Sequence, residues 1–350
     1  MSWTERLDAY QRRHRWLGFP IAVIYKFADD QGNYLAALIT YYAFLSLFPM
    51  LLLGSAILGF ILQGDSHLQD QLINSALARF PVIGDQLRKP EGLRGSGAAV
   101  VVGAIVTVYG ALGVAQAAQN ALNISWGVPM NRRPNPLTVR VRSLALLAFS
   151  GLAIIVTTLL SGLGTGVAAL GEGLGTGVRL LIALGTIVLN AAVFTVLFRL
   201  ATAEKHPLRD AVPGALFVAI AYQLLQLVGT AYVSRIVKDS SATYGLFAIV
   251  LGMIAWIYLG AFVIVLGVEI NVVRAKMLYP RALLTPFTDN VELTPADRAA
   301  YTRSAQAQRS KGFQSVDVTF DESERDRPDD PAIADGSSDQ AEEPGRDAVS

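Results

Sequence analysis

The sequence predicts an all-α integral membrane protein: six transmembrane helices plus short interfacial helices, with both termini cytoplasmic. Three observations carry this. The 350-residue chain is 52% hydrophobic and only 16% charged, against about 25% charged for a soluble domain. Its apolar residues come in long blocks, where a soluble helix or strand would interleave polar ones. Its basic residues crowd one set of connections between those blocks.

Residues 1–34 read as a cytoplasmic N-terminal segment. The first 16 residues are polar and Arg-rich, and the apolar stretch that follows is broken by Lys26 and Asp29, so nothing resembles a cleavable leader. Aromatic and aliphatic residues flanked by Arg over 16–27 predict a helix lying at headgroup level. Six spans follow at 35–62, 98–122, 144–170, 178–200, 211–237 and 246–273, each longer than the about 20 residues a bilayer requires. Together they make a membrane domain over 35–277. The connection over 67–88 has apolar residues at helical spacing and predicts an amphipathic helix on the outer surface. Gly162-Leu-Gly-Thr-Gly-Val recurs at Gly173, which reads as a mobile helix tip rather than a phosphate loop, since it follows no strand. Residues 278–350 read as an acidic, disordered cytoplasmic tail.

The net charge of +1 conceals an asymmetry: from Phe287 onward there are 7 basic and 15 acidic residues. With the N-terminus inside, the 22 Lys and Arg before Phe287 divide 15 to the cytoplasmic side and 7 to the outer side, which sets the orientation and predicts an inner-membrane location. There is no cysteine, so disulfides and thiol chemistry are excluded.

Polar groups inside a bilayer are few and usually face protein or water. Asp29, Asp30 and Lys26 stand just before the first span; the acids either cap a helix start or line a path. Glu269 lies toward the inner end of the sixth span, with Asn271 close by; it either pairs with Arg274 or Arg199, or lines a solute path or takes up a proton. Gln116, Asn120 and Asn123 are spaced i, i+4, i+7, so they share a helix face that should point into the bundle. That face either bonds neighbouring helices or walls a cavity. Tyr34, Tyr41 and Tyr42 mark the inner part of the first span, and Pro49 should kink it. Asn190, Gln223 and Gln226 lie near mid-depth in the fourth and fifth spans. On the sixth span Gly252, Ala255, Gly260 and Gly267 share one side, which suits close helix packing. Most of these polar groups sit at mid-depth or below, which predicts a cavity open to the cytoplasm or inner leaflet.

His14, His67 and His206 fall on both sides of the membrane in this topology, so they do not form one metal site, and no HExxH, Walker or GxSxG motif is present. The basic clusters follow from the positive-inside rule and anionic headgroups, not nucleic acid. Four stretches carry a family resemblance: Asp29-Asp-Gln-Gly-Asn-Tyr-Leu-Ala-Ala running into Tyr41-Tyr-Ala-Phe-Leu-Ser-Leu-Phe-Pro49, Asn120-Ala-Leu-Asn-Ile-Ser-Trp126, Arg209-Asp-Ala-Val-Pro-Gly-Ala215, and Tyr244-Gly through Trp256-Ile-Tyr258 to Leu266-Gly-Val-Glu-Ile-Asn271. In these the chain resembles the YihY/virulence factor BrkB family of bacterial inner-membrane proteins, over roughly 19–277. The resemblance implies a six-helix membrane body without agreed catalytic residues. The family's older ribonuclease BN label does not suit a chain with no soluble nuclease domain; other members are linked to virulence or envelope lipid export.

The expected function is therefore a transporter or flippase-like exporter of a lipid or other amphipathic envelope component, working through a cytoplasm-facing polar cavity. The alternative is a non-transporting scaffold in envelope assembly or surface resistance. No catalytic activity, cofactor, metal or nucleic-acid partner is expected. Membrane lipids are the expected partners; a cytoplasmic protein at the acidic tail and a second copy of the chain are further candidates.

Overall fold

A computed structural model describes residues 3–61, 97–169, 176–236, 245–288 and 291–321. Among them the chain is helical and contains no strand. Two short helices come first, α1 (Trp3–Arg13) and α2 (Arg15–Asp29). Six long ones follow: α3 (Gly32–Ile61), α4 (Gly97–Ser125), α5 (Pro136–Ala169), α6 (Thr176–Ala201), α7 (Leu208–Ile236) and α8 (Gly245–Ala275). The helix expected over 67–88, the first half of the repeat copy at 173–175 and the acidic run beyond Asp321 lie outside the described residues. By length and composition four of the described helices can cross a bilayer, through Pro136–Thr157, Ala183–Ala201, Leu208–Gly229 and Val250–Ala275.

The packing is that of a protein in lipid. Large apolar side chains point outward, among them Leu152, Ile154, Leu181, Val188, Leu227 and Val228, each more than half exposed. Small residues fill the seams: Ala36, Ala117, Ala121, Ala211, Ala215 and Ala261 are buried. Apolar side chains gain nothing by leaving hydrocarbon for a protein interior, so close backbone approach and polar staples hold such a bundle together. The tightest approach joins α7 to α8. A Cβ on Gly214 would fall 1.8 Å from the Gly267 carbonyl oxygen, so only glycine fits. Gly267 thus plays the packing part expected of it, whereas nothing approaches Gly260 within 4 Å. Asn271 stitches the same crossing, accepting from the Gly214 amide at 2.7 Å and donating to the Ala211 carbonyl at 3.1 Å. α8 is the central element, packed against α2, α3, α4 and α7.

The chain beyond 277 departs from the disorder expected of it. Leu278 and Ala282 are buried, and a further helix, α9 (Pro295–Ala307), begins with a capping box. The Thr294 hydroxyl accepts from the Asp297 amide, and the Asp297 carboxylate accepts in return from the Thr294 amide. Arg281 anchors the segment: Nε meets Asp297 at 2.7 Å and a terminal nitrogen meets Asp29 at 2.5 Å, with the guanidinium 1% exposed. Further bonds tie the segment to the N-terminal helices: Gln11 to the Arg281 carbonyl, Tyr25 to the Leu283 carbonyl, and the Leu283 amide to Asp8. Residues that look like a solvated tail by composition therefore close over the start of the chain.

Candidate functional site

Three helix ends and α9 enclose a cavity of about 470 Å³. α2 turns into α3 through Asp30 and Gln31, the latter with φ of +56°. α4 ends in a Schellman turn, where the Val128 amide donates to the Asn123 carbonyl and the Gly127 amide to the Ile124 carbonyl. Gly127, with φ of +65°, supplies the left-handed residue this turn requires. α8 ends in the same way, the Leu278 amide donating to the Val273 carbonyl, but Met277 occupies the left-handed position with φ of +55°. Among the described residues Gln31 and Met277 are the two non-glycine residues with positive φ. Gln31 lines the cavity, and so do both neighbours of Met277.

The floor is a buried charged cluster. Lys26 pairs with Asp30 four residues on, donates to the Ser125 carbonyl at 3.3 Å, and lies 3.8 Å from Oε2 of Glu269. Ser125 in turn donates to Oε1 of Glu269 at 2.5 Å. Glu269 is fully buried, and its Oε2 receives no hydrogen bond. Burial and then the Glu269 charge push the Asp30 carboxyl up to about 8. Burial pulls the Lys26 ammonium down, but Glu269 and Asp30 outweigh it and hold the amine above its usual range.

The walls carry positive charge. Arg133, Lys276 and Arg303 line the cavity, and none is paired with a carboxylate among the described residues. Arg133 is steadied by the Val128 carbonyl at 3.2 Å and the Asn120 side chain at 3.4 Å. Lys276 lies 5.8 Å above the Trp126 ring, which also stacks on His206 at 3.6 Å between ring centroids. Burial, then Lys276, pushes the His206 ring below its usual range.

The profile of the BrkB virulence factor family matches residues 23–288. The chain belongs to this family. A membrane protein of the UPF0761 group from Aromatoleum aromaticum is 28% identical over 207 residues, 57% of this chain and 47% of that one. A ribonuclease-like protein by name, YfkH of Bacillus subtilis, is 36% identical over 84 residues, 24% of this chain and 30% of that one. The chain thus matches about half or less of the length of these curated relatives. No solved structure matches.

Within this BrkB family chain, only some of the residues singled out by sequence come together. Asp30 and Tyr34 line the cavity, and Glu269 stands behind its floor through Ser125 and Lys26. Asn120 orients Arg133 in the wall. Asn123 instead accepts from the Ala203 amide at 2.8 Å, and Asn271 serves the α7–α8 crossing. Gln116 does not point into the bundle; it is exposed. The inward seam of α4 runs through Ala115, Gln119 and Leu122, and a residue three before Gln119 is turned about 60° away from it. Gln119 is the inward amide, donating to Ser143 at 2.8 Å. Tyr41 is exposed and meets Tyr42 edge-on, while Tyr42 packs against the glycine face of α4 at Gly113. Pro49, Asn190, Gln223 and Gln226 are half-buried and do not line the cavity; Gln226 donates to the Tyr222 hydroxyl at 2.8 Å.

The partners expected of the charged residues also change. Asp29 and Asp30 cap no helix start: Asp29 holds Arg281, and Asp30 closes α2 against Lys26. Glu269 pairs with neither Arg274 nor Arg199; its partners are Lys26 and Ser125. Ser125, Arg133, Arg281 and Asp297 belong to the site without standing out in the sequence. One signal was available, because Thr294-Pro-Ala-Asp297 is a helix-start signature.

Proposed function

We propose that this protein carries a lipid or other amphipathic envelope component across the membrane, taking it up at the cavity beneath α9. The reading takes the six long helices as six spans with both termini in the cytoplasm, in keeping with the bias of basic connections to that side. The observation that carries it is the cavity: about 470 Å³, beside the end of the most central helix, with three cationic side chains free of carboxylate partners among the described residues. Such a site suits an anionic headgroup, which Arg133 can engage through two parallel hydrogen bonds. The half-apolar lining of Tyr34, Leu35, Ile124, Val272 and Leu278 suits the start of an acyl chain.

The test is translocation of a labelled anionic phospholipid by the full chain in proteoliposomes. Ser304 lines the cavity from the exposed side of α9 and takes no part in the charged cluster. Ser304→Trp fills the space and should abolish translocation without unfolding the protein. Translocation unchanged by Ser304→Trp would remove the cavity from the path.

The docked C-terminal segment favours the second reading, an envelope scaffold that recruits a partner through its acidic end. Truncation after Asp321 separates the two. It leaves α9 and Arg281 in place, whereas a cut at Thr288 would strip Asp297 from Arg281. A transporter keeps its activity without residues 322–350; a scaffold acting through the tail loses its function.

A further inference from the structure

We infer that Lys26, Asp30 and Glu269 form a proton-binding site that exchanges with the cavity, making the proton the coupling ion of the transport proposed above. The inference of coupling rests on that reading; the proton site itself does not.

Two carboxylates share one ammonium in a buried space. Lys26 and Asp30 side chains are each 9% exposed and Glu269 is not exposed at all. With all three ionised, the cluster holds one unneutralised negative charge away from water, an arrangement that strongly favours taking up a proton. The hydrogen bonds agree. Lys26 spends its donors on Asp30 and the Ser125 carbonyl, and at 3.8 Å its contact with Oε2 of Glu269 is too long for a third. A buried charged oxygen without a donor is unfavourable, whereas the same oxygen neutralised by a proton loses most of that penalty. The raised carboxyl of Asp30 points the same way.

The charges around the cluster leave this imbalance in place. On α2, Asp29 is taken by Arg281. On the α4 side the nearest group is the neutral Ser125 hydroxyl, with Arg133 beyond it in the wall. Lys276 at the end of α8, and Tyr301 and Arg303 on α9, face the cavity. Asp30 lines the cavity while Glu269 does not, so Asp30 is the carboxyl through which a proton enters. Uptake forms one O–H bond on Asp30 with a proton from water, and release returns it to water. An anion in the cavity adds negative charge beside the cluster and favours uptake; its departure favours release. That is the linkage a symporter needs, since anion and proton bind and leave together.

The experiment is an infrared titration of the full chain in lipid nanodiscs from about pH 5 to about pH 10, following the carbonyl band of protonated carboxyl groups. The expected result is one band that disappears with a midpoint of about 8 and is missing in both Asp30→Asn and Glu269→Gln. Each substitution leaves a single carboxylate facing Lys26, a neutral pair that keeps no proton. A wild-type protein without such a band overturns the site, whatever becomes of the variants. A band that persists in both folded variants overturns the assignment to these residues. The titration uses no substrate, so a lost band leaves the transport reading standing, and absent translocation leaves the proton site standing. If both are present, translocation equal at pH values on either side of the midpoint overturns the coupling.

Discussion

Ser125 shows how much rests on single side chains at the floor of the cavity. Its hydroxyl is the hydrogen bond holding Oε1 of the fully buried Glu269. Ser125→Ala leaves that oxygen bare, and a loss of about 1–3 kcal/mol in thermal or denaturant unfolding is expected. Arg281 is the second such residue. Arg281→Met leaves the fully buried Asp297 charge without its cation, although the Thr294 and Ala282 bonds remain, and should destabilise the docked segment by about 3 kcal/mol. Limited proteolysis should then cut between Met277 and α9 before any other described part opens. Asp30 gives a pH signature. Its folded value of about 8 lies above the unfolded 3.8, so the native state binds the extra proton between them. Its contribution to stability is complete below pH 3.8, declines as pH rises, and is gone above about 8. Unfolding midpoints of wild type and Asp30→Asn measured across this range should differ in slope in that sense. At this scale the sequence was informative about residue type and weak on partners. Glu269 stood out because carboxylates are rare in a span, yet its partner Lys26 is 243 positions away in the chain, and no local spacing points to it.

At the scale of the element, the long helices were legible because apolar blocks are long and backbone groups in lipid must bond within their own segment. Their contact faces were less so. In a soluble helix the apolar stripe marks the buried side; here the apolar side meets lipid and small residues mark the seam. That inversion hid the inward role of Gln119 and made Gln116 look buried. Glycine was the better guide, and Gly267 was read correctly as a packing position while its partner Gly214 was passed over. Gly214→Ala drives a methyl into the Gly267 carbonyl and breaks both Asn271 bonds. The expected result is a loss of at least about 1–3 kcal/mol in unfolding, at the upper end of overpacking. α9 was missed because composition was averaged over a long acidic stretch, which diluted its capping box. Thr294→Ala removes the cap and should cost about 0.5–2 kcal/mol, read as earlier proteolysis of the C-terminal segment with the membrane helices unchanged.

In the whole molecule an N-terminal helix pair, a lipid-facing bundle and a folded C-terminal segment meet around the cavity. The bundle was visible in the sequence, and so was the idea of a polar region near one of its ends. The enclosure was not. It depends on the Arg281 bridge between Asp29 and Asp297 and on three left-handed turns, of which only that at Gly127 carries a glycine. Native mass spectrometry of the full chain, extracted gently from its own membrane, tests the central claim most directly. A retained anionic amphiphile that Ser304→Trp displaces is the result this account predicts. Protein that emerges without a lipid, or that holds one equally well after Ser304→Trp, would contradict it.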